Sequence, residues 1–352
     1  MLEKLAGIFK RDRREFEAFQ IEVSTYCSLE CQLCPRTFFA EQWIFQQMSM
    51  ETFQKIASHF DRTEWVSFHG WGEPLENENI LPMLHQAKQA NCLTSLTTNG
   101  LHLTEDLSHQ LLTQDLDLIL ISFEGAMKGV QENFGIGADF QRILDRAEGL
   151  VRLKRKLGRK TPIVKFSFPM TRLNVLELPG LVPLASKLGV DEFLFTHLDY
   201  LPSERYNLLR TFSHQSPAPA FQESIDEIHR TGKKERMAVN TPPLKAEEIP
   251  VCQANPPHRV FFSADGSVAP CLYRLIPIKG DIPRIFMHKE YRVPQTFFGN
   301  VKNENFPAIW GKDTYKKFRE IFEERRKAQS DTVQMLDLFT NIRSSGITKE
   351  AP

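Results

Sequence analysis

Neither sign of charge is in excess in this 352-residue chain, in which Lys and Arg together number 44 and Asp and Glu 44. A balanced surface offers no general field for nucleic acid or an anionic membrane, so neither is expected as a partner. Long apolar runs are missing as well, and no stretch reaches the roughly 18 residues of a membrane helix. The opening MLEKLAGIFKRDRREF is charged and lacks the apolar centre of a secretory leader. A cytoplasmic protein is therefore expected. Cysteine is scarce, with six residues, yet three of them crowd into one short segment. Three thiols that close cannot all pair in a disulfide framework, and they read better as reduced metal ligands.

Those three are Cys27, Cys31 and Cys34 in TYCSLECQLCPR, just after the apolar strand-like run Phe19 to Val23. A [4Fe–4S] cube usually takes four thiolates. Three from one loop leave an iron open to a small molecule, much as a catalytic zinc site keeps one position free. A structural zinc site fits less well. The nearest histidines, His59 and His69, lie beyond a helix-like segment and in a strand-like one, and no second C-x2-C follows.

Along the first two thirds, strand-like and helix-like patterns alternate, as in parallel βα units. FQIEVS (19–24) precedes the cysteine loop and a helix from about Met50; WVSFHG (65–70) precedes a helix from about Asn79. LTSLTTNG (93–100) precedes a helix over 105–113, and LDLILISFEG (116–125) precedes the amphipathic run 139–156. IVKFSFPM (163–170) precedes a helix over 176–187, and DEFLFTHLDY (191–200) is a sixth strand. Such units build either an open doubly wound sheet or a barrel. The cysteines, GWGEP, TTNG and SFEG all sit at C-terminal strand ends, where a barrel collects its function. In His69-Gly70-Trp71-Gly72-Glu73-Pro74, glycines expose backbone beside a carboxylate, a setting suited to an ammonium group.

The C-x3-C-x2-C spacing and the GWGEP turn resemble the signatures of the radical S-adenosylmethionine enzymes, where the turn reads GGEP. The resemblance implies an α/β fold, a partial (βα)6 TIM-like barrel with a small C-terminal β-hairpin and helix extension. It implies that Cys27, Cys31 and Cys34 bind a [4Fe–4S] cluster whose open iron chelates S-adenosylmethionine, with Gly70, Trp71, Gly72, Glu73 and Pro74 receiving the amino group of the methionine. Thr97, Thr98 and Asn99 of the TTNG segment read singly as turn residues, and in the context of this resemblance Asn99 is expected among the cofactor-binding residues. Ser122 and Glu124 occupy places where relatives have a serine and an aspartate reaching the ribose or substrate. Arg172 suits the methionine carboxylate, and Asn174 and His197 are expected at the same mouth. Leu33 stands where many relatives carry an aromatic residue near the adenine.

After the sixth strand the pattern changes. Residues 206–250 are polar and proline-containing, with one helix-like stretch near 221–231, and read as a linker between a barrel over 17–205 and a module over 251–315. An N-terminal segment (1–16) and a charged C-terminal helix and tail (316–352) flank them. The module opens with Cys252 and Cys271 around a hairpin signal at Asp265-Gly266. Its spacing resembles the SPASM or twitch extensions that carry auxiliary iron–sulfur clusters. No cysteine follows Cys271 and Cys92 reads as a core residue, so the auxiliary site is expected to be incomplete, truncated or degenerate, or completed by a residue such as His258 or Tyr273.

The expected activity is reductive cleavage of S-adenosylmethionine to a 5′-deoxyadenosyl radical that takes hydrogen from a peptide side chain or a small metabolite. A flavodoxin or ferredoxin is the expected electron donor. The alternative is a non-catalytic relative that binds iron–sulfur or S-adenosylmethionine as a scaffold or electron carrier.

Overall fold

A computed structural model describes residues 14–123, 135–136, 139–245 and 249–344. Seven parallel strands follow one another through the chain: β1 (Phe16–Ile21), β2 (Thr63–Phe68), β3 (Leu93–Thr98), β4 (Leu118–Ser122), β5 (Ile163–Pro169), β6 (Glu192–Thr196) and β7 (Ala238–Asn240). The helices α1 (Met50–Ala57), α2 (Ile80–Gln89), α3 (Glu105–Thr113), α4 (Phe140–Lys156), α5 (Leu178–Leu188) and α6 (Pro219–Glu235) make the crossovers in order. Local chemistry sets their ends. The Ser49, Thr104 and Asp139 side chains accept the N–H groups of Thr52, Leu107 and Arg142 at the starts of α1, α3 and α4. Gly189 closes α5 at φ +80, a conformation other residues rarely adopt.

The core lies between the sheet and these helices. Phe19, Phe68, Ile119, Phe166 and Phe193 are fully buried, as are Met83, Leu111, Ala147 and Val182 from the helices. In β5 and β6 the alternate positions carry Lys165 and Glu192 instead, paired at 2.6 Å across the strands.

The alternation of βα units reads as expected, with strand and helix ends moved by a few residues. The stretch expected as a linker differs: residues 206–250 include α6 and β7. The Ser224, Ile225, Ile228 and Gly232 face of α6 is buried, and α6 packs on α5, while β7 continues the parallel sheet beyond β6. The helix-like stretch near 221–231 is α6, somewhat longer than expected, whereas the three residues of β7 are too few to show an alternating pattern.

The C-terminal part is also joined to this sheet. Strand β8 (Arg259–Phe262) pairs parallel with β1 on the side opposite β2. A turn through Asp265-Gly266, with Gly266 at φ +88, leads to the antiparallel β9 (Ser267–Ala269), which pairs with β10 (Gly299–Asn300). The final helix, α7, spans Asp313–Ser344. The sheet thus has ten strands in the order β10-β9-β8-β1-β2-β3-β4-β5-β6-β7. Among the described residues no helix is long and apolar enough to cross a membrane.

Candidate cofactor and cluster site

The cysteine loop leaves the C-terminal end of β1 and is tied down along its length. The Thr25 N–H donates to Gln46 O at 2.9 Å, the Ser28 N–H to Glu76 Oε1 at 2.6 Å, and the Tyr206 hydroxyl to Gln32 O at 2.6 Å. Arg36 closes the loop on the carbonyl of Leu29, and Cys34 N–H donates to Cys31 O at 3.0 Å. Burial raises the Cys27 thiol; the Leu29 N–H opposes that shift, and the nearby Glu73 charge adds to it. None of the six cysteines forms a disulfide. Cys92 is buried and donates to Phe60 O, a core residue as expected.

The turn after β2 packs directly on this loop. The Glu73 N–H donates to Tyr26 O at 2.7 Å. A Cβ on Gly72 would lie 2.4 Å from Ser24 O and 2.5 Å from Tyr26 O, so only glycine fits there. Glu73 is 2% exposed, and its carboxylate accepts the N–H groups of Leu75 at 3.0 Å and Asn99 at 2.7 Å. Burial pushes its carboxyl up to about 7 despite these bonds and one from Thr98. Asn99 also aims its side-chain amide at Cys27 Sγ, 3.7 Å away. One asparagine therefore joins the carboxylate to the first cysteine.

Trp71, which departs from the usual glycine, has a visible use. Its indole N–H lies 3.2 Å from Leu272 O and 3.3 Å from Leu275 O, and its ring meets Tyr200 and Tyr273 edge-on. The turn is thereby fastened to the C-terminal extension.

The other sequence candidates scatter. Ser122 is the last residue of β4, in register with Ser167, whereas Glu124 lies outside the described residues. Arg172 donates to Arg210 O at 3.2 Å and stands over the Phe221 ring. Asn174 is fully buried, bonding Thr171 N–H and Pro169 O within its own turn. These contacts give both residues structural partners at the β5 end.

His197 faces a cavity of about 870 Å3 between the β6 and β7 ends, the Cys252 and Cys271 segments and α7. Cys271, Asp199, Tyr273 and Arg284 share its wall. Tyr273 donates to Asp199 Oδ2 at 3.1 Å, and His197 bonds Pro243 O at 2.9 Å. Neighbouring protein raises the Asp199 carboxyl, although the residue is exposed. Burial raises the Cys271 thiol, and Cys252 is close enough to raise it further. His258, by contrast, gives its carbonyl to Glu17 N–H.

Three thiols on one loop, beside a turn with no room for a side chain, fit a cluster and its organic ligand. Among the described residues no three His, Cys, Asp or Glu side chains converge on a point for a single ion. Cluster thiolates each bind a different iron and need not converge so. At the second site the chain brings two thiols, short of the usual cluster set.

Sequence reasoning missed Glu22. It is 2% exposed at the end of β1, with its carboxyl pushed up to about 7 by burial. It also missed Glu76 and Asn77, which hold Ser28 N–H, Val23 O and Met48 O.

The SPASM family model, described as an iron-sulfur cluster-binding domain, matches residues 252–332. The chain is 24% identical over 307 residues to the tungsten-containing aldehyde ferredoxin oxidoreductase cofactor-modifying protein of Pyrococcus furiosus, covering 86% of this chain and 82% of that one. It is 22% identical to PqqA peptide cyclase of Gluconobacter oxydans, covering 82% and 75%. The fold is similar to that of Streptococcus suis SuiB bound to S-adenosylmethionine, with a TM-score of 0.61, 14% identity, and coverage of 90% of this chain and 71% of that one.

Proposed function

We propose that the chain is a radical S-adenosylmethionine enzyme with a SPASM-type extension, one that modifies a peptide or a cofactor precursor at an unreactive position. Cys27, Cys31 and Cys34 hold the cluster and Gly70–Pro74 seats S-adenosylmethionine. When bound, these two groups supply the 5′-deoxyadenosyl radical that abstracts hydrogen from substrate. The observation that carries the reading is the Glu73 N–H bond to Tyr26 O, 2.7 Å long, which ties the turn to the cysteine loop and supports their acting as one site.

The chain's own residues then divide the work. Glu73 is a buried carboxylate whose partners at the turn are N–H and hydroxyl groups, with no cationic side chain among them. Uncompensated buried charge is costly, so an ammonium group at this turn relieves it, and the carboxylate retains lone pairs beyond those already used. Asn99 fixes Glu73 against Cys27. Trp71 of the turn touches Tyr273, which lines the cavity at the β6 end, so that cavity adjoins the turn and offers room for substrate. The Pyrococcus and Gluconobacter relatives are a cofactor-modifying protein and a peptide cyclase, which favours catalysis over a scaffold role and supports a peptide or small-molecule substrate. The electron is taken from a flavodoxin or ferredoxin, and reduced thiols suit a cytoplasmic setting.

The test is anaerobic reconstitution, iron and sulfide counting, and an assay for 5′-deoxyadenosine with dithionite. Absence of that product from cluster-loaded protein would overturn the assignment.

A further inference from the structure

Glu22 is an acidic residue at the C-terminal end of β1, and it is nearly sealed from solvent. Its Oε1 accepts the Trp71 N–H at 2.8 Å, inside the GWGEP turn. Its Oε2 faces the Ala264 N–H at 3.3 Å, beside the Asp265-Gly266 hairpin. Gly70 leaves room for it: a Cβ there would lie 2.4 Å from Glu22 Cγ and 2.7 Å from Oε1. Three segments far apart in sequence meet on this one side chain.

We infer that Glu22 is a positioning residue for the cofactor site, fastening the turn that seats S-adenosylmethionine to the hairpin of the C-terminal extension. A two-oxygen acceptor is the group required. Each oxygen takes one backbone N–H. The Trp71 indole provides a second tie to Leu272 and Leu275 in the same extension. The methionine-seating backbone is therefore set by residues 264–275 as well as by the barrel. Asp265 on the hairpin is the charged neighbour that acts on Glu22, opposing its ionisation.

The inference rests on reading Gly70–Pro74 as the cofactor turn, and its test separates the two. In the reconstituted full chain, Glu22→Gln keeps one acceptor oxygen but turns an amide N–H2 toward one of the two backbone donors. Iron content should stay at the wild-type value, S-adenosylmethionine affinity should fall about tenfold or more, and the Trp71 and Ala264 amides should lose hydrogen-exchange protection together while those of β2 and β3 keep theirs. Unchanged affinity with both amides still protected would overturn the inference. Wild-type protein that holds iron and binds no S-adenosylmethionine would instead sink the functional reading. Should the variant not fold, exchange in the wild-type protein decides: Trp71 and Ala264 opening in one event supports the role, and Ala264 exchanging freely beside a protected Trp71 refutes it.

Discussion

The backbone N–H of Glu73 donates to the carbonyl oxygen of Tyr26 at 2.7 Å, immediately before the first of the three clustered cysteines. A disturbance of the turn therefore reaches the loop through one bond.

Cys31→Ala should abolish cluster binding, lowering the iron count by about four per chain. It should also eliminate 5′-deoxyadenosine formation in the reductive assay. Retention of both would remove Cys31 from the ligand set.

Gly72→Ala drives a methyl group into the Ser24 and Tyr26 carbonyls, backbone atoms that cannot swing aside. Crowding of this kind costs about 1–3 kcal/mol. The urea midpoint should fall accordingly, and cluster retention should fall with it.

Glu73→Gln preserves volume but replaces one acceptor oxygen with a donor facing either Leu75 N–H or Asn99 N–H. S-adenosylmethionine affinity should drop about tenfold while iron content holds, as measured by anaerobic titration. Equal affinity would show that the turn seats its ligand by backbone alone.

Stability should depend on pH through Glu22. Its folded carboxyl sits near 7, above the ordinary 4.5, because burial disfavours the charge. Below the lower value both states hold the proton. Between the two, the unfolded chain releases its proton and the folded chain keeps it, so stability falls as pH rises through this window and levels off above the upper value. The loss amounts to about 3 kcal/mol. Urea melts across the window should show wild type losing ground to Glu22→Gln as pH rises; a constant difference between them would contradict the buried-charge account.

At the second site the described chain offers Cys252 and Cys271. About four irons per reconstituted chain are expected, and Cys252→Ala with Cys271→Ala should leave that number unchanged. A fall from about eight would show a filled second cluster.

Much of the architecture was open to reading from sequence because apolar alternation marks strands that pack on one face, and Thr104 and Asp139 announce helix starts. The cysteine loop and GWGEP turn were legible as motifs. Glu22 was not, since an acidic residue at a strand end reads as solvent-facing, and its partners Trp71 and Ala264 lie 49 and 242 residues away. Arg172 and Asn174 were suited to a ligand by their chemistry, and the contacts they make at the β5 end were equally invisible in the sequence.

The insertion of β8 beside β1 bears on how the protein matures. Strand β1 carries the cysteine loop at its end, and one of its two hydrogen-bonding edges is completed only by Arg259–Phe262. A ribosome must therefore deliver some 240 further residues before the first strand has both neighbours, a pairing of high sequence separation that slows folding. Until then, the three thiols emerge on an unfinished edge, exposed to oxidation and stray metals. Cluster delivery is best timed after Arg259–Phe262 has paired with β1, and a truncation before residue 259 should leave the loop unable to retain iron even though Cys27, Cys31 and Cys34 are present.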